Sequence, residues 1–208
     1  RAFASAGQLD SAAAAARRAI AAQPDSLAPR RLLARALSDA GHDAEAARAW
    51  EDVRARAPGD PGVLLDLGLA REKSGDVDGA VQAGRDALRL APGWPTALNY
   101  LGYLLADHDR DLEEARALIA RAVAVEPDNG AFLDSLGWVY FRLGRLAEAR
   151  TELERALVLT GGDPVIHEHL GDVYKQLRLT DLAREQYKLS LAGDGGNARV
   201  KQKLADLR

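Results

Sequence analysis

DSLGWVYFRLGRLAEA, residues 134–149, places a Trp, a Tyr and a Phe between two glycines, Gly137 and Gly144, that stand seven residues apart. Read as one amphipathic helix the stretch fails, because its apolar residues are too dense for a single stripe and Gly144 falls where the helix should run on. Read as a helix, a turn and the start of a second helix it is coherent, and the question becomes whether that unit recurs.

It recurs along the whole chain. Pro24, Pro58, Pro92 and Pro127 are separated by 34, 34 and 35 residues, Gly7, Gly41 and Gly75 by 34, and Gly68, Gly102, Gly137 and Gly171 by 34, 35 and 34. Ala12, Ala46, Ala80, Ala115, Ala149 and Ala183 keep the same beat. A period of this length marks a helical repeat, in which each unit buries its apolar face only by stacking on its neighbours. Each recurring residue type has a physical reason. Small residues at 34, 68, 102, 137 and 171 let a neighbouring helix approach. Gly41, Gly75 and Gly144 sit at the turn between paired helices, where positive φ is needed. The prolines at the ends of second helices stop them, whereas Pro61, Pro95 and Pro164 suit the first turn of the next helix.

With Leu133-x-x-Leu136-Gly137-x-x-Tyr140 followed by Gly144, Ala149, Leu153 and Ala156, the sequence resembles tandem tetratricopeptide repeats. The resemblance implies an all-α, right-handed superhelical solenoid forming one domain over 1–208. Its parts are a half repeat at 1–26, full repeats at 27–60, 61–94, 95–129, 130–163 and 164–197, and a capping helix at 198–208. Leu33, Leu67, Leu101, Leu136 and Leu170 are expected in the layered core. The turn Asp107–Asp111 is one residue long for its place and should bulge, and Arg178 stands where a turn glycine is expected. In the closing segment Asn197 can cap a helix that packs Val200, Leu204 and Leu207 and turns Lys201, Lys203 and Arg208 to water. Arg1 enters midway through a first helix, with Phe3 at the place of Tyr140 and Tyr174, so the natural protein is expected to extend N-terminally.

The 208 residues are 47% hydrophobic and 28% charged with a net charge of -3, ordinary globular composition. Residues 61–129 carry seven basic and twelve acidic side chains, which argues against nucleic acid as a partner. Charges interrupt every apolar run, so no segment reads as a membrane span. With no cysteine, disulfides and thiolate metal sites are excluded, and the compartment stays open.

Catalytic signatures are missing from the sequence: no nucleophile elbow, no phosphate-cradling glycine loop and no His-Glu-x-x-His. In His167-Glu168-His169 with Asp172, the two imidazoles point apart on a helix, which favours packed, hydrogen-bonded rings over a metal site. Asp134 and Ser135 diverge by about 100° and do not form a triad with His169. The reading is therefore a non-catalytic scaffold without cofactor or metal, capturing a protein or peptide in the groove lined by first helices. The alternative is an accessory domain of a larger enzyme.

First-helix positions that face the groove in this repeat family correspond here to Asn99, Tyr100 and Tyr103, then Asp134, Trp138 and Arg142, then Glu168, His169 and Asp172. Tyr140 is assigned to packing. Trp138, Tyr100 and Tyr103 should form an aromatic patch that takes apolar or aromatic anchors, with a basic residue of the partner meeting Asp134 or Asp172. At the positions where chaperone-tail-binding relatives clamp a terminal carboxylate stand Arg31, Arg35, Asp66, Thr96 and Tyr100, of which only the first pair fits. Segment 97–149 is also similar to a block in repeat-containing lipoproteins of Gram-negative envelopes, some of which are protease adaptors. That implies a periplasmic, outer-membrane-anchored bacterial protein with a protease partner, although the lipidated Cys is absent from this chain; the cytoplasm is the alternative.

Overall fold

The computed structural model describes residues 6–207, which leaves the expectations on Phe3 and Arg208 outside the described residues. It contains twelve helices and no strand among them: α1 (Ala6–Ala22), α2 (Leu27–Asp39), α3 (Asp43–Arg56), α4 (Pro61–Lys73), α5 (Val77–Leu90), α6 (Pro95–Asp107), α7 (Leu112–Val125), α8 (Gly130–Arg142), α9 (Leu146–Thr160), α10 (Pro164–Gln176), α11 (Thr180–Gly193) and α12 (Ala198–Ala205). They group into two compact units, Arg1–Pro92 and Gly93–Arg208. Within each unit consecutive helices pack in pairs, α2 on α3 and α4 on α5 in the first, α6 on α7, α8 on α9 and α10 on α11 in the second.

Local chemistry sets the helix starts. Asp60 Oδ1 accepts from the backbone N–H groups of Gly62 and Val63 while Pro61 fills the first helical position. Asn129 caps α8 and Asp163 caps α10 in the same way, with Pro164 following Asp163. Between paired helices, Gly41, Gly75 and Gly144 take φ of +76°, +89° and +74°. Arg178 substitutes for the fourth such glycine by adopting the same left-handed backbone at φ +59°. The lengthened turn needs two left-handed residues, Asp109 (+53°) and Asp111 (+39°), and α6 and α7 still pack as a pair around it.

Close approach of paired helices rests on the small-residue register. A Cβ on Gly102 would lie 2.5 Å from Ile119 Cγ1 and 2.8 Å from the Ala115 carbonyl oxygen, one on Gly137 2.6 Å from Leu153 Cγ, and one on Gly171 2.5 Å from Tyr187 Cε1. Leu67, Leu101, Leu136 and Leu170 are buried as the pattern requires. Leu33 departs from it: the side chain is only partly buried and packs at the margin of the first unit's core. In the second unit the core joins Leu133, Leu153, Ile166, Leu170, Val173 and Tyr187, and reaches Val200 of α12.

Candidate partner-binding site

All nine sequence-derived groove residues lie in the second unit, on the first helices α6, α8 and α10. Four of them form one cluster. The Trp138 ring stacks on His169 at 4.4 Å between centroids and on Phe141 at 5.2 Å, with planes 23° and 21° apart. The Arg142 guanidinium lies over the same indole, 5.4 Å from its centroid, within cation–π range. Arg142 also donates to the Asp107 carbonyl at 3.1 Å and pairs with Asp109, so the lengthened turn is tied to the aromatic stack. His169 Nδ1 donates to Asp134 Oδ1 at 2.7 Å.

Burial divides this cluster. Sequence reasoning places His169 in the groove, but it is 4% exposed and sits under Trp138. Trp138 is half-buried, yet its indole Nε1–H is buried without a hydrogen-bond partner, and so is Asn99 Oδ1 on α6. Unpaired buried polar atoms each cost about 1–3 kcal/mol, which makes these two unusual in a folded unit. Tyr100 and Tyr103 are half-buried on the same helix as Asn99. Phe141 belongs to the Trp138 stack. Tyr140 packs against the core with Arg145 over its ring at 4.7 Å.

Asp172 and Glu168 form a second cluster with α12, a partnership absent from the sequence-derived expectations. Glu168 is 2% exposed and accepts from Lys203 Nζ at 2.7 Å, from Arg199 Nη2 at 3.1 Å and from Asn197 Nδ2 at 3.4 Å, all supplied by α12 and its cap. Burial alone would raise the Glu168 carboxyl, but the Lys203 and Arg199 hydrogen bonds outweigh it and hold the group below its ordinary range. Asp172 accepts from Lys203 at 2.5 Å and from the Tyr187 hydroxyl at 2.7 Å. Burial, with that hydrogen bond to a carboxylate, pushes the Tyr187 phenol far up. Arg199 lies within electrostatic reach of Tyr103.

Two expectations are corrected here. Lys203 does not face water; it bridges Glu168 and Asp172. Asp134 and Asp172 do not await a basic residue from outside, because His169 satisfies the first and Lys203 with Tyr187 the second. A signal for both was present in the spacing, since Lys203 follows Glu168 by 35 residues as His169 follows Asp134. The imidazoles turn to different partners, His167 Nδ1 to Gln186 Oε1 at 2.7 Å and His169 to Asp134. Among the described residues no group of three His, Cys, Asp or Glu side chains could hold a metal ion, and no helix is long and apolar enough to cross a membrane. In the first unit Arg31 pairs with Asp60 at 2.6 Å rather than standing ready for a carboxylate from outside.

Against this geometry the likenesses to known proteins can be set. The sequence model of the tetratricopeptide repeat matches residues 31–95, 65–123 and 101–164. A TPR repeat-containing protein of Pseudomonas aeruginosa is 36% identical over 143 residues, 68% of this chain and 24% of the relative, so the chain spans about a quarter of that protein's length. Among solved structures, the Cut9–Hcn1 hetero-tetramer of the APC/C superposes with a TM-score of 0.84 at 18% identity, covering 98% of this chain and 40% of that one. The Thermus thermophilus protein TTC0263 superposes at 0.75 and 24% identity, covering 88% and 98%. At such identities the structural likeness is one of fold.

Proposed function

Because the chain belongs to the tetratricopeptide repeat family, we propose that it is a non-catalytic scaffold that captures a protein partner on the first-helix face of its second unit. The observation that carries this reading is the Trp138 cluster. A half-buried indole stacks on both Phe141 and His169, carries the Arg142 guanidinium over its ring, and is left with an unpaired N–H. Rigid aromatic anchors of this kind dominate binding energy because little rotamer entropy is lost when they are covered. Asn99, Tyr100 and Tyr103 supply polar groups from α6, the first helix that packs against α8, and Asp134 acts through His169 by holding the ring on which Trp138 stacks. A partner segment with apolar or aromatic anchors suits this face, and with Asp134 and Asp172 internally satisfied it requires no basic residue.

The finer proposal, an adaptor in a Gram-negative envelope with a protease among its partners, rests on the resemblance of segment 97–149. The Pseudomonas aeruginosa relative supports a bacterial setting.

The test is selection of peptides from a random library on the immobilised chain, followed by titration calorimetry of the enriched sequences. Trp138→Ala with Tyr103→Ala should weaken them at least about tenfold, the scale of one hot-spot truncation, with helicity unchanged. Selected peptides that bind the double variant as tightly as the parent sink the assignment of the site.

A further inference from the structure

The Glu168–Asp172 face of α10 is built for cations, and the chain itself supplies them. Arg199 and Lys203 stand one helical turn apart on α12 and converge on a carboxylate that is 2% exposed. The rest of the docking is small: Val200 is fully buried, while Leu204 and Leu207 are only partly so. Eight residues are too few to hold a helix alone, so α12 has its structure only when seated on this surface. It is joined to α11 by Asp194, Gly195, Gly196 and Asn197, a connector whose two glycines accept many backbone paths.

We infer that this face is an exchange surface: the α12 of a second copy seats on Glu168 and Asp172 as the chain's own α12 does, giving a swapped dimer. Every contact made within one chain is reproduced between two, so the two arrangements differ only in the connector and in the entropy of association. The occupant is specified by charge and spacing, since it must carry basic residues at i and i+4 with a buried valine between them, as α12 does. The inference is independent of peptide capture at Trp138.

Shortening the connector decides it. Turns between second and first helices elsewhere in this unit are four residues (126–129) and three (161–163) long. Deleting Gly195 and Gly196 leaves two, too few to fold α12 back onto its own α11 and α10, and strained hinges of this kind drive exchange. In light scattering after size exclusion at about 20 μM, the deletion variant is expected at twice the monomer mass with helicity retained. Adding Arg199→Glu and Lys203→Glu should return it to monomer. The full-length connector closes α12 in place at a millimolar effective concentration, so the unaltered chain should show a dimer fraction rising only as it approaches that range. A second arm requires no deletion: Glu168→Lys and Lys203→Glu chains, each monomeric alone, should pair when mixed, because each helix then meets a face of opposite charge. A monomeric deletion variant, a dimer that survives the charge reversals, or mixed chains that stay apart would each overturn the inference.

Discussion

Replacing Gly102 by Ala in α6 tests the packing argument in its sharpest form, because helix propensity and packing give opposite signs. In an exposed helix the change gains roughly 1 kcal/mol. Here the added methyl would meet Ile119 Cγ1 at 2.5 Å and the Ala115 carbonyl oxygen at 2.8 Å. Ile119 is fully buried, and the carbonyl belongs to the α7 backbone, so neither can swing aside. α6 and α7 would have to separate, and overpacking of this sort costs about 1–3 kcal/mol, more where backbone is involved. After the propensity gain of roughly 1 kcal/mol is subtracted, the expected result is a net destabilisation of up to about 2 kcal/mol, a fall of as much as roughly 8 °C in the melting midpoint if each kcal/mol moves a chain of this size by about 2–4 °C. Gly137→Ala should cost less, since the facing backbone carbonyl oxygen, that of Ala149, is 3.2 Å away instead of 2.8 Å. Gly93→Ala, with nothing within 4 Å, should stay within about 0.5 kcal/mol of the parent. Ala34 holds the equivalent place in α2, which shows that a methyl fits when the facing residues are shaped around it; an existing pair offers no such room. Circular dichroism melts of the three variants supply the comparison. A Gly102→Ala chain that melts at or above the parent would refute the close-approach account.

Two further changes probe electrostatics and backbone. Burial raises the Asp66 carboxyl, with Arg35 and Arg31 opposing it, so the native state holds that proton more tightly than the unfolded chain does. Stability should therefore fall as pH rises through the range just above an ordinary Asp; Asp66→Asn should remove that fall and be the more stable chain at pH 7 by urea denaturation, and lower stability there would contradict the desolvation argument. Arg178→Gly relieves a left-handed residue that costs about 1–2 kcal/mol, against a loss of roughly 0.5–1 kcal/mol from glycine's freedom in the unfolded chain. The net gain of up to about 1.5 kcal/mol would appear as a later denaturation midpoint, and an earlier one would show that Arg178 holds the turn by contacts as well as by its backbone.

Fold and site were legible to different depths, for a physical reason. Positions fixed by backbone demands announce themselves by residue type: a proline that can sit only in a helix's first turn, a glycine where φ must be positive, a small residue where two helices touch. α4, α6 and α10 accordingly start at Pro61, Pro95 and Pro164. The division after Pro92 leaves no such mark, because the 34-residue beat runs through it unbroken. Side-chain partnerships across successive first helices are harder still, since any polar residue at a groove position can face outward or turn sideways to its neighbour 35 residues on. Asp134 turns sideways to His169, and Glu168 does so to Lys203. The sequence reading treated both carboxylates as groove groups and Lys203 as solvent-facing. Taken together the two pairs form one ladder, in which α8 and then α10 offers a carboxylate to the next first helix, and α12 accepts the last of these although no second helix follows it among the described residues. On α6 the corresponding position is Asn99, whose Oδ1 has no hydrogen-bond partner while Ser135, 36 residues on, donates to its own helix at Ala131. The ladder thus breaks on α6, which packs against α8, the helix that carries Trp138 and its unpaired indole N–H, so unmet hydrogen-bonding capacity falls on two first helices in contact.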